Sequence, residues 1–122
     1  MNRLIAFVAT ARPAESRAFY GETIGLTLVE ESEFSIVFAS GETMLRVQKV
    51  SNVTVPPDTA IGWEVDDIAG RIRDLTNKGA TFERFDGFVQ DGEGIWSAPD
   101  GTRVAWFKDP DGNLLSLTQF SA

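Results

Sequence analysis

One local pattern occurs twice along this chain, and that duplication restricts the available folds more than any other feature. In the first half, a short apolar run at residues 4–10 leads into a helical stretch at 13–23. Pro13 suits a first helical turn and Gly25 a C-terminal cap. Strand-like runs follow at 26–31, 34–39 and 43–50, joined by connections short enough for hairpins. The proline-bearing stretch 53–58 reads as a linker. The order then restarts with a strand at 60–65 and an N-cap at Asp66-Asp67. The second helix runs through Lys78 to Gly79, with Ile68, Ile72 and Leu75 as its apolar stripe. Strands are predicted at 81–85, 95–98, 102–108 and 114–120, with a glycine-rich loop at 87–94. Ile5 precedes Gly25 by 20 residues and Ala60 precedes Gly79 by 19. The two copies therefore keep step, at a repeat of about 55 residues.

A repeat of this length is one supersecondary unit, and its sheet face stays uncovered until a second copy joins it. The expected fold class is α+β: two βαβββ modules, 1–52 and 59–122, forming a cup-shaped mixed sheet with helices on the outside. Both modules belong to a single domain, 1–122.

Charge and composition narrow the partners. The formal charge of −7, with the basic residues scattered, opposes nucleic acid. No apolar run approaches the ~20 residues that span a bilayer, so no membrane partner is expected. The apolar N-terminal segment reads as the first core strand rather than a leader, and a cytoplasmic location follows. The chain has no cysteine and no histidine, which removes the usual transition-metal ligands and excludes a Ser-His-Asp triad around Ser16, Ser97 or Ser116.

Three motifs in order carry a family resemblance. They are Glu15-Ser16-Arg17-Ala18-Phe19-Tyr20 followed by Ile24-Gly25-Leu26, then Trp63-Glu64-Val65-Asp66-Asp67-Ile68, and Phe107-Lys108-Asp109-Pro110-Asp111-Gly112-Asn113. With this set the chain resembles the vicinal-oxygen-chelate superfamily, which includes glyoxalase I, bleomycin-resistance proteins, fosfomycin-resistance enzymes and extradiol dioxygenases. The resemblance covers essentially the whole sequence and implies the double-module fold. Metal-using members take ligands from the first and last strands of each module. The resemblance puts those positions at Ile5, Arg46, Ala60 and Ser116, so it implies a member lacking the metal ligands and the metal-dependent chemistry. No cofactor is expected.

Strand alternation gives a separate reading of the cup. Leu45 and Val47 oppose Arg46 and Gln48; Ile61, Trp63 and Val65 oppose Gly62 and Glu64; Leu115 and Leu117 oppose Ser116 and Thr118. The turn Asp109-Pro110-Asp111-Gly112 suits a type I turn with a bulge, which sets Trp106 opposite Ser116 and turns Trp106 and Lys108 into the cup. A two-residue loop would instead turn Arg103 inward. The candidate ligand-binding residues are Phe7, Arg46, Gln48, Glu64, Trp96, Trp106, Lys108, Ser116 and Thr118. An aromatic floor with a few converging polar groups is the composition of a small-molecule pocket.

Blander readings stand beside this one. Arg46 and Glu64 form a buried ion pair on one of them. Asp109-x-Asp111-Gly112 is a hairpin turn rather than a calcium loop, because the downstream bidentate acid is missing. Glu30-Glu31-x-Glu33 is a solvated strand end, and loop 87–94 is a mobile rim that lacks a phosphate-binding lysine. Three functions remain open: a metal-free binder of a small organic ligand, a metal-independent isomerase or lyase using Glu64 and Lys108, and a structural module with a filled cup. A homodimer is expected, because open sheet edges invite a second subunit.

Overall fold

The structure, a computed structural model, describes residues 1–121. The chain forms two compact units. The first holds Met1–Pro57 together with Asp109–Asn113, and the second holds Asp58–Lys108 and the chain from Leu114 onward. The fold class is α+β, with one four-stranded mixed sheet in each unit.

In the first unit the strands are β1 (Ile5–Thr10), β2 (Thr27–Glu31), β3 (Ser35–Ser40) and β4 (Thr43–Lys49), in the order β1-β4-β3-β2. β1 runs parallel to β4 and the other pairs are antiparallel. Val8, Ile36, Phe38, Leu45 and Val47 are buried, and they share one face of the sheet as the alternation requires. The predicted helix 13–23 forms, but its winding changes midway. α1 spans Pro13–Ala18 and continues as π-wound turns over Phe19–Thr23, with the Ile24 N–H reaching the Phe19 carbonyl at 2.9 Å. Gly25 then reverses the chain at φ +90°, a conformation that only glycine adopts cheaply.

The segment Asp109–Asn113 is the turn foreseen from the sequence. The Gly112 N–H donates to the Asp109 carbonyl at 3.0 Å, and Gly112 sits at φ +91°. Its polar side chains, Asp109, Asp111 and Asn113, are engaged within the first unit. Asp109 Oδ2 accepts from the Tyr20 hydroxyl at 2.7 Å and from Asn113 Nδ2 at 2.9 Å, while Oδ1 accepts the N–H groups of Asp111 and Asn113. Asp111 accepts from the Thr10 hydroxyl and the Ala11 N–H, and Asn113 Nδ2 also reaches the Ala9 carbonyl. These carboxylates serve the turn and its packing on β1 and α1.

In the second unit β5 (Ile61–Glu64), β6 (Trp96–Ser97), β7 (Arg103–Lys108) and β8 (Leu114–Gln119) follow the order β5-β8-β7-β6. α2 spans Ile68–Asn77 and buries Ile68, Ile72 and Leu75, the predicted stripe. Asp67 caps it, accepting the Gly70 N–H at 3.1 Å. A Cβ on Gly70 would lie 2.4 Å from the Asp67 carboxylate, which explains the glycine at this position.

The predicted strand 81–85 does not form. Only an isolated bridge joins Phe82 to Phe107, with the Glu83 N–H donating to the Trp106 carbonyl. The Gln90 side chain supplies the reason. Its oxygen accepts the Phe85 N–H and its nitrogen donates to the Glu83 carbonyl, so a side chain satisfies backbone groups that a neighbouring strand would have used. Glu31, expected to be merely solvated, is also engaged, pairing with Arg17 and Lys49 at 2.7 Å each.

Candidate functional site

The β7–β8 register is the predicted one, with Trp106 opposite Ser116 and Phe107 opposite Leu115. Combined with the parallel β5–β8 pairing, it assembles one face of the second sheet in rows. Glu64, Thr118, Val104 and Trp96 are successive partners in one row, and Gly62, Ser116 and Trp106 are partners in the next. The opposite face carries Leu115, Leu117, Ala105 and Phe107, all buried. Six of the nine candidate residues therefore share one face of the second unit: Glu64, Trp96, Trp106, Lys108, Ser116 and Thr118.

Their environments differ. Ser116 is buried because the bare Gly62 lets its hydroxyl pack across the neighbouring strand; a Cβ on Gly62 would stand 2.2 Å from that oxygen. Glu64 is exposed. Lys108 is engaged by Glu83 at 3.6 Å. Lys108 and Glu64 lie two strands and four residues apart on this face, roughly 16 Å between backbones from strand rise and spacing. An acid and a base acting on one atom must both come within hydrogen-bond reach of it.

The other three candidates belong to the first unit. Phe7 and Arg46 are side-by-side partners on β1 and β4, and Gln48 follows on the same face. Phe7 is 52% exposed. Arg46 is half-buried, and its guanidinium donates to the Ser35 hydroxyl at 3.1 Å. Arg46 and Glu64, read from the sequence as a potential ion pair, belong to different units.

Two aromatic side chains that the sequence reading did not single out, Phe85 and Phe88, join this face. Phe85 meets Trp106 edge-on at 5.4 Å between ring centroids. Phe88 stacks on Trp96 at 5.9 Å with 30° between planes and lies 5.6 Å from Trp106. A four-ring cluster thus covers the aromatic end of the mixed face. The only available signal was the spacing of two phenylalanines around Asp86-Gly87, at the start of the segment read as a rim. Side chains of that rim also bond its own backbone. Gln90 Nε2 holds the Gly94 carbonyl at 2.8 Å, and Asp91 Oδ1 accepts the N–H groups of Glu93 and Ile95.

The four positions that the family resemblance assigns to metal do not fit a cation. Ile5 and Ala60 offer no donor atom, Arg46 carries positive charge, and Ser116 offers one neutral hydroxyl. Among the described residues, no group of three or more acidic, histidine or cysteine side chains is placed to hold an ion. None of the described helices is long and apolar enough to cross a membrane.

Comparison with known proteins agrees with this architecture. Residues 3–117 match the sequence model described as the Glyoxalase/Bleomycin resistance protein/Dioxygenase superfamily. A member of that superfamily from Sphaerobacter thermophilus superposes with a TM-score of 0.75 at 21% identity, covering 98% of each chain. A glyoxalase/bleomycin resistance protein/dioxygenase from Alicyclobacillus acidocaldarius gives 0.74 at 16% identity, over 98% of this chain and 92% of that one. Lactoylglutathione lyase from Agrobacterium tumefaciens gives 0.74 at 14% identity, over 95% and 91%. No curated protein sequence matches the chain.

Proposed function

The chain belongs to the Glyoxalase/Bleomycin resistance protein/Dioxygenase superfamily, and from that premise we propose a metal-independent protein that binds a small planar organic molecule, sequestering or carrying it. The observation that carries the reading is the stacked Phe88–Trp96 pair with Trp106 beside it, on a sheet face that also carries the polar groups Glu64, Lys108, Ser116 and Thr118. A planar ligand gains both burial and ring stacking there. The Ser116 and Thr118 hydroxyls and the Glu64 carboxylate offer acceptors to donors at its edge. On the first unit, Arg46 and Gln48 are proposed as anchors for a carboxylate or carbonyl oxygen, with Phe7 as their apolar neighbour.

The lyase activity named for the Agrobacterium protein is not carried over. At 14% identity the likeness speaks for the fold alone, and the metal positions lack donors. The acid–base alternative is disfavoured by the engagement of Lys108 with Glu83 and its distance from Glu64. A cytoplasmic homodimer completes the proposal. Ile5, 41% exposed on an edge strand, is apolar surface that a second copy would cover. Light scattering that reports a monomer at micromolar concentration removes the dimer.

A thermal-shift screen of planar carboxylates, amides and heteroaromatic compounds tests the binding proposal. Stabilisation by a planar subset, in the presence of chelator, is the expected result. No stabilisation by any compound contradicts it.

A further inference from the structure

Phe88 is the most exposed ring of the cluster. It comes from a loop, it is 47% exposed, and it nevertheless stacks on Trp96 and touches Trp106 and Phe85. A half-exposed phenylalanine gives up far less burial on leaving than a core ring such as Phe107, which is fully buried.

The chain around it divides into a base with many side-chain bonds and a tip with few. The base is tied down by the three backbone bonds of the Gln90 side chain, by Asp91, and by the Arg73–Glu93 ion pair at 3.4 Å. Across residues 86–89, by contrast, the backbone makes one hydrogen bond among the described residues, from the Phe88 N–H to the Phe85 carbonyl at 3.2 Å. Gly87 lies at φ +86° inside that tip, so its rotation is not restricted by a Cβ. Val89 beside it is 88% exposed and does not hold the tip in place.

We propose that Phe88 is a built-in occupant of the ligand's ring position. A ligand presenting a single planar six-membered ring binds by taking the place of the Phe88 ring against Trp96, while residues 86–89 swing out about Gly87 and the Gln90-clamped base stays fixed. The inference rests on the binding reading above and deepens it. It assigns the ligand class, a planar ring of benzene size, and makes Phe88 an internal competitor that lowers apparent affinity by the fraction of time it occupies the slot. It also explains why an aromatic slot facing water is not left open, since an unfilled apolar slot forfeits its contacts.

The test uses benzamide as probe and the indole N–H resonances of the three tryptophans as readout. Trp63 lies on the opposite strand parity and serves as internal control. Phe88→Ala removes the competitor and should bind benzamide about tenfold more tightly than the unmodified protein, the scale of one aromatic pair given up. The shifts should fall on Trp96 and Trp106 and spare Trp63. Val89→Ala should bind like the unmodified protein. If Phe88→Ala is unstable, Phe88→Leu, which keeps bulk but not the ring face, should still bind more tightly. If the unmodified protein binds through Trp96 and Trp106 but either Phe88 variant binds no more tightly, Phe88 is a wall of the site. The displacement proposal then falls while the binding reading stands. If benzamide moves neither Trp96 nor Trp106 in any variant, both fall.

Discussion

Replacing Tyr20 with phenylalanine removes one hydroxyl group and little else, which makes its cost calculable. Tyr20 is fully buried, and Asp109, to which it donates at 2.7 Å, is 6% exposed. Asp109 keeps three donors in the variant: Asn113 Nδ2 at 2.9 Å and the N–H groups of Asp111 and Asn113 at 3.0 and 2.9 Å. A hydrogen bond to a charged group contributes about 1.5–3 kcal/mol, and the upper half applies where water cannot replace the lost donor. The expected loss is therefore about 2–3 kcal/mol, or roughly 8 °C in Tm at the lower figure for a chain of this size. Urea melts at neutral pH measure it, with the midpoint falling by roughly 1 M at unchanged slope. Asp109→Asn and the double variant complete a cycle whose coupling should reach about 1 kcal/mol or more. The hydroxyl has a second signature. Burial first, and then the Asp109 carboxylate, push its titration far above the ordinary phenol range. Tyr20 is the one tyrosine of the chain, so ultraviolet titration should detect no phenolate until the protein unfolds. A loss below about 0.5 kcal/mol with additive effects, set against the magnitudes above, refutes the account of the 109–113 turn as a packed structural element.

Other perturbations follow from equally local causes. Asp67→Ala removes the α2 N-cap and should cost about 1 kcal/mol in chemical denaturation, whereas Asp67→Asn should recover most of it. Hydrogen bonds from Arg17 and then Lys49 hold Glu31 down to about 2, below its unfolded value near 4.3. Its contribution is fully present above about pH 4.3 and disappears as pH falls towards 2, so Glu31→Gln should flatten the acid side of the stability profile. Identical acid profiles for the two proteins would contradict that, and high salt should shrink the difference because the pair is partly solvated. Elemental analysis after dialysis should find no stoichiometric transition metal, and chelator should leave the melt unchanged; about one zinc, nickel or iron per chain overturns the metal-independent reading.

What the sequence made legible was governed by periodicity and by local turn chemistry. The alternation of Leu45 and Val47 with Arg46 and Gln48, or of Leu115 and Leu117 with Ser116 and Thr118, directly reports which face is buried, because a strand repeats every two residues. The Asp109–Gly112 turn fixed the β7–β8 register and with it the sheet face that Trp106 shares with Ser116. The failures lie where side-chain contacts, which local pattern does not encode, decide the structure. Residues 81–85 have strand composition, yet Gln90 takes their hydrogen bonds. Glu31 resembles a solvated acid until Arg17 and Lys49, 14 and 18 residues away, are folded beside it. Phe85 and Phe88 obey no periodicity, being loop residues, so only their contacts with Trp106 and Trp96 reveal them. Lys108 sits on the predicted face, but nothing in the pattern announces its capture by Glu83.

The central claim is that the aromatic face of the second sheet binds a planar organic molecule without metal. Its most direct test is a calorimetric titration of the planar compound that stabilises the protein most, carried out in chelator with the unmodified protein and with Trp106→Ala. The predicted result is binding that survives chelation and weakens at least about tenfold in Trp106→Ala, with melts showing that the variant keeps its fold. Equal affinity in the two proteins, or binding abolished by chelator, contradicts the claim.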